Sequence, residues 1–181
     1  MKTKLSVPQV TVIGVMAAVT CIMGPLSIPI GVVPISFTNL AIYLAMYALG
    51  CKKGTISYLI YLCIGLIGVP VFSAFSSGPA KLFGPTGGYL IGFIIMAVVS
   101  GIFIDKFPGK WYLHFIGMAA GTVICYVLGS IWLSYQAHMT FAAALGAGVI
   151  PFIPGDLIKI IIAMVVGPQI RKQLIKAQLF K

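Results

Sequence analysis

Apolar runs without a single charge alternate along this chain with short breaks that carry lysine. No Asp, Glu, Lys or Arg occurs in residues 5–50, 82–104 or 111–155. Runs this long exceed what a soluble core needs and read as membrane-spanning helices. The pattern predicts six spans, at residues 7–23, 37–49, 54–67, 86–104, 111–135 and 154 to about 173. The second and third are short for a hydrocarbon layer of about 30 Å. Three stretches are too dense in Pro and Gly for regular helix: residues 24–34, 69–88 and 144–155. The expected fold is therefore an all-α integral membrane protein, with residues 1–181 forming one transmembrane domain of six helices.

The placement of charge orients that bundle. Ten of the twelve basic residues fall on one side of a six-span arrangement: Lys2, Lys4, Lys52, Lys53, Lys106, Lys110, Arg171, Lys172, Lys176 and Lys181. By the positive-inside rule that side is cytoplasmic and holds both termini. The three breaker-rich loops then lie outside. The net charge of +10 would suit a nucleic-acid partner if it formed one soluble face. Its scatter between apolar segments excludes that reading. With 60% apolar and 8% charged residues, composition agrees with a membrane protein. Residues 7–23 read as a retained first helix, since no small-residue cleavage site follows them. Cys21, Cys51, Cys63 and Cys125 lack paired spacing and read as small apolar residues, so no metal or cofactor is expected.

Against this background a few residues stand out. Asp156 and Lys159, in PGDLIK at the start of the last helix, share one helix face. One reading makes Asp156 a helix cap with Lys159 snorkelling outward as its ion-pair partner. The other makes them a ligand site, because ionisable groups in spans are costly and mark ligand or ion paths. Lys81 is the one basic residue of the outer loops. Lys81 and Lys159 together could hold a carboxylate while Asp156 accepts hydrogen bonds from N–H donors. Such a site suits a small, mostly apolar anion with an N–H-bearing head. Asn39, Tyr43, Ser76, Ser77, Tyr89, Trp132, Tyr135 and Gln136 offer further polar groups, although Trp132 and Tyr135 equally suit an interfacial belt. GPTGGYLIGF (residues 84–93) predicts a tight turn feeding a helix, its glycines allowing close approach of a ligand or a neighbouring helix. It lacks the Gly-Lys-Ser/Thr ending of a phosphate-binding loop, so ATP-driven transport would need partner subunits. Gly14 and Ala18 on the first helix permit close helix approach, either within the bundle or to a partner.

The motifs VPISFTNL (33–40), GLIGVPVF (65–72), GPTGGYLIGF, GSIWLSYQ (129–136) and PGDLIK (154–159), in this order, resemble the biotin-specific substrate-binding subunit, BioY type, of energy-coupling-factor (ECF) vitamin transporters. The resemblance covers nearly the whole chain. It implies high-affinity capture of biotin from outside a prokaryotic plasma membrane. It also implies inward transfer driven by two ATPase subunits through a coupling membrane subunit docked on Gly14 and Ala18. By motif position Asp156 would bind the ureido N–H groups, and Lys159 the carboxylate or Asp156 itself. Relatives often carry Gln where this chain has Thr38 and Asn39, and some a basic residue at the position of Leu90; Lys81 is the substitute expected for the latter. The loops at 24–34 and 69–84 are expected to act as lids. Two other readings are a binding subunit for another vitamin or small anion, and an intramembrane enzyme built on His114, His138, Asp105 or Asp156. The scatter of those groups over both faces argues against the enzyme.

Overall fold

Residues 6–29 and 33–179 are described by a computed structural model of the chain. Lys2, Lys4, Ile30 and Lys181 fall outside them. Helix α1 (Val7–Met23) begins where Pro8 fits the first turn and the Gln9 side chain accepts the Ser6 N–H at 3.3 Å. The stretch after it is not wholly irregular. Residues Ser27–Ile28 (β1) and Ile35–Ser36 (β2) pair antiparallel, Ser27 opposite Ser36, in a small hairpin that the all-α expectation omitted.

The two short spans expected at 37–49 and 54–67 are the halves of one element, α2 (Thr38–Leu66), interrupted at a single residue, Gly50. Gly50 has φ 76° and ψ 176°, a conformation essentially closed to residues with a Cβ. The chain reverses there. Tyr43 lies against Met96, Cys51 against Asp105 and Tyr58 against Leu90, so α2 runs along its neighbour one way before Gly50 and back after it. The Asp105 carboxylate fixes the turn by accepting the Cys51 backbone N–H at 2.7 Å and the Arg171 guanidinium at 3.3 Å. An anion at the start of the returning half also complements its helix dipole.

After a 3₁₀ turn (Ser73–Phe75), the short α3 (Pro79–Leu82) leads into α4 (Gly87–Lys106) and α5 (Trp111–Gln136). These two pack closely because Gly88 faces Trp132 and Gly129 faces the Tyr89 ring, where any side chain would collide. The breaker-rich stretch at 144–155 is partly helical. Its first residues belong to α6 (Phe141–Gly148), capped by the Thr140 hydroxyl accepting Ala143 N–H, and only the 3₁₀ turn Ile150–Phe152 separates it from α7 (Ile153–Lys176). Alanine-rich sequence in 141–148 outweighs its two glycines.

Among the described residues, three stretches are helical, long and apolar enough to cross a membrane: Gly87–Lys106, Trp111–Gln136 and Phe141–Lys176. Exposed apolar side chains such as Ile158, Ile161 and Val165 line the outside of α7, as expected of a lipid-facing helix. The interior is rich in tyrosine. Buried Tyr43 shares a hydrogen bond with the Thr122 hydroxyl at 2.6 Å, Tyr58 donates to the Leu90 carbonyl at 2.8 Å, and Tyr47 meets His114 at 3.1 Å.

Candidate functional site

One end of the bundle holds a cavity that opens to the protein surface through a mouth. Its walls come from β2 and the start of α2, and from α4, α5 and the start of α7. Most of the lining is apolar, with Leu90, Phe93, Met96 and Phe152 prominent. That is the usual character of a small-molecule site: apolar walls with a few placed polar groups.

The placed groups centre on Asp156. Its position in the first turn of α7 follows from Pro154, which fits a helix start. The carboxylate is buried, and its two oxygens are held from different elements. Oδ1 accepts the Lys159 ammonium at 2.9 Å and Oδ2 accepts the Tyr126 hydroxyl at 2.6 Å. Asp156 is therefore an ion-pair partner but not the cap of α7. Lys159 does not snorkel. It is buried, donates to the Ser36 carbonyl at 2.7 Å as well as to Asp156, and sits 5.7 Å from the centre of the Phe37 ring. One ammonium thus ties the hairpin strand β2 to the carboxylate.

Of the other expected site residues, Asn39 and Tyr89 line the cavity. The Tyr89 ring forms wall, while its hydroxyl donates to the Gly148 carbonyl at 3.1 Å and holds α6 in place. Ser76 and Lys81 do not line it. The Ser76 hydroxyl closes a local turn by donating to the Ser73 carbonyl at 2.7 Å, and Ser73 reaches the cavity instead. Lys81 stands half-buried on α3, where burial pulls its ammonium below the usual lysine value. Among the described residues, Lys159 is the only cation on the cavity wall. Trp132 and Gln136 serve the loop rather than a ligand, donating to the carbonyls of Gly84 at 2.9 Å and Phe83 at 2.6 Å. Tyr135 is 80% exposed, which fits the belt reading.

Tyr126 escaped the sequence reading, as did Tyr61. Thr122, Cys125 and Tyr126, three and four residues apart on α5, line the cavity together, but nothing in the apolar run itself marks that face as its wall. Tyr61 lines the cavity with a buried hydroxyl that has no hydrogen-bond partner among the described residues. Such a group inside an apolar wall costs stability unless something else satisfies it. The enzyme reading loses His114. Its Nε2–H donates to the Phe107 carbonyl at 2.9 Å and Nδ1 faces Tyr47, a structural arrangement away from Asp156.

Gly14 and Ala18 point away from the bundle. Both are exposed, and a Cβ at Gly14 would have no atom within 4 Å, so packing inside this chain does not explain them.

The family model for the BioY family matches residues 1–176. Biotin transporter BioY2 of Lactococcus lactis is 35% identical over 159 residues, covering 88% of this chain and 87% of the relative. Biotin transporter BioY of Thermotoga maritima is 37% identical over 160 residues, covering 88% and 93%. The crystal structure of the S-component for biotin from an ECF-type ABC transporter superimposes with a TM-score of 0.86 at 35% identity, over 95% of both chains. Matched along its length by the family model, by these relatives and by that structure, the chain belongs to the BioY family.

Proposed function

We propose that this chain is the substrate-specificity subunit of an ECF transporter, taking up biotin across the plasma membrane of a prokaryote. The observation that carries the reading to particular residues is the Asp156 carboxylate, buried and braced by Tyr126 and Lys159, on the wall of an apolar cavity. Biotin presents two ureido N–H donors on an apolar bicyclic ring. A buried, pre-aligned carboxylate is the acceptor such a head requires, and charge-assisted hydrogen bonds are the strong ones in a dry site. Leu90, Phe93 and Met96 receive the thioether ring and alkyl chain. The hydroxyls of Ser73, Thr86 and Tyr61 line the same cavity and serve biotin's oxygens, in place of the lysine expected at 81. Lys159 acts by positioning Asp156, since its own donors go to Asp156 and Ser36.

The outer loops close over the ligand. The Ser27 hydroxyl accepts the Ala74 N–H at 2.9 Å, joining the hairpin to the 69–84 loop, and Lys159 joins the hairpin to the site. Ligand that engages Asp156 therefore bears on both loops at once. The topology is six spans with both termini cytoplasmic. The reversal at Gly50 supports it, as does a pocket at the opposite end that gathers Lys52, Lys53, Lys106 and Arg171 from three of the basic breaks.

Energy comes from partners, a coupling membrane subunit and two ATPases, with α1 as the docking face. Gly14→Leu is expected to leave biotin binding by the isolated chain unchanged. Uptake by cells carrying the whole transporter should fall about tenfold or more, as a close helix contact is lost. Equal loss of binding and uptake would remove α1 from the docking role.

Tyr126→Phe removes one brace and leaves the ring. Biotin affinity is expected to fall about tenfold, one hydrogen bond's worth, with the melting temperature little changed; unchanged affinity in a titration would show that the brace is idle. The reading as a whole is tested by radiolabelled biotin retention on membranes holding only this chain. Unlabelled biotin should displace the label and riboflavin or thiamine should not. Displacement by another vitamin at equal concentration would reassign the ligand.

A further inference from the structure

At the end of the bundle away from the cavity, residues of α5 and α7 line an open groove. Trp111 and His114 of α5 form one side, and Met164, Pro168, Lys172 and Lys176 of α7 form the other. Lys172 and Lys176 are four residues apart, so both ammonium groups project over the same stretch. Both are exposed. Arg171 adds charge from the floor while paired with Asp105, and no acidic side chain is among the described residues lining the groove. Both nitrogens of His114 are engaged within the protein, at the Phe107 carbonyl and at Tyr47.

A free water-soluble anion would need polar walls, and these walls are mostly apolar. Trp111 is 71% exposed, and Ile175 lies between the two lysines. Two turns back along the same face of α7 from Pro168 and Lys172 stand Ile161 and Val165, both exposed and apolar. Cationic groups at one end, an interfacial tryptophan beside them and an apolar strip running on into the bilayer match the parts of one phospholipid molecule.

We propose that the groove between the N-terminal end of α5 and the C-terminal end of α7 binds an anionic phospholipid, its phosphodiester headgroup held by Lys172 and Lys176 and its acyl chains lying along Ile161 and Val165. The inference rests on the chain's being a membrane protein and not on biotin as its ligand.

The test is native mass spectrometry of the delipidated protein with phosphatidylglycerol or phosphatidylcholine of identical acyl chains. The unaltered chain should retain phosphatidylglycerol about tenfold better, and Lys172→Ala/Lys176→Ala should abolish the preference. Lys52→Ala/Lys53→Ala removes the same charge at the same end and should retain it. Melting temperature reports folding independently of biotin. If the alanine pair fails to fold, Lys172→Gln/Lys176→Gln is read in the same way. The proposal is overturned if the 172/176 variant keeps the preference, or if the 52/53 variant loses as much. Displacement of the lipid by millimolar inorganic phosphate would overturn it too, by assigning the groove to a free anion.

Discussion

Asp156→Asn is expected to weaken biotin binding by about a hundredfold or more, because a charge-assisted acceptor becomes a neutral amide. The substitution acts twice. Asn keeps the shape and one acceptor oxygen, but it leaves the Lys159 ammonium buried beside the Ser36 carbonyl with its counter-charge gone. Removing one partner of a buried pair costs on the order of 3–5 kcal/mol of stability. A lower melting temperature is therefore expected alongside the lost affinity, and on its own the single variant cannot separate the two. Asp156→Asn/Lys159→Met can. Removing both charges should recover most of the melting temperature, since an apolar replacement of a buried pair is close to neutral. Affinity should stay lost, because the acceptor is still absent. If calorimetric titration shows affinity returning with stability, Asp156 is a scaffold and biotin's head is read elsewhere.

Gly50→Ala should produce a large loss of stability from a single methyl group. The φ of 76° with ψ of 176° lies in a region used essentially by glycine, and forcing another residue there costs roughly 1–3 kcal/mol. The added Cβ would also stand 2.8 Å from Asp105 Oδ2, the oxygen that accepts the Cys51 N–H. Relieving the clash means moving the carboxylate off that N–H and off Arg171. The combined expectation is about 3 kcal/mol or more, read as a melting temperature in detergent, adding about one hydrogen bond's worth to the strain. Asp105→Ala in the same background should make the second loss non-additive, because the group in the way is already gone. A Gly50→Ala protein as stable as the unaltered chain would mean the reversal is not held at this residue.

The contrast between these two sites explains how far the chain could be read by eye. Charge in a lipid-facing sequence is so costly that its placement alone pointed to Asp156 and Lys159, and to the end where Lys52, Lys106 and Arg171 gather. Gly50 was visible only as a break. Which torsions it takes, and that α2 folds back around one residue, depend on Asp105 from a distant segment. Tyr126 was illegible for the opposite reason. A tyrosine inside an apolar run is compatible with belt, core or pocket, and only its contact with Asp156, thirty positions on, decides among them. That Lys81 stands off the cavity wall was not legible, because loop sequence fixes neither where a loop lies nor which of its residues reaches inward. Trp132 and Gln136 hold the 83–84 backbone, and the cavity receives Ser73 and Thr86 instead. The glycines of GPTGGY were open to both ligand and packing readings. At Gly88 the Trp132 side chain fills the space, so there the reason is helix packing.

The central claim is that a buried carboxylate recognises the ureido head of biotin. Calorimetric titration of the purified chain with biotin, and with biotin methylated on its ureido nitrogens, addresses that claim most directly. The expected result is one biotin per chain with submicromolar affinity, and binding of the methylated compound weaker by about a hundredfold as its N–H donors are lost. Equal affinity for the two compounds, or no heat from biotin on protein that melts cooperatively, would contradict it.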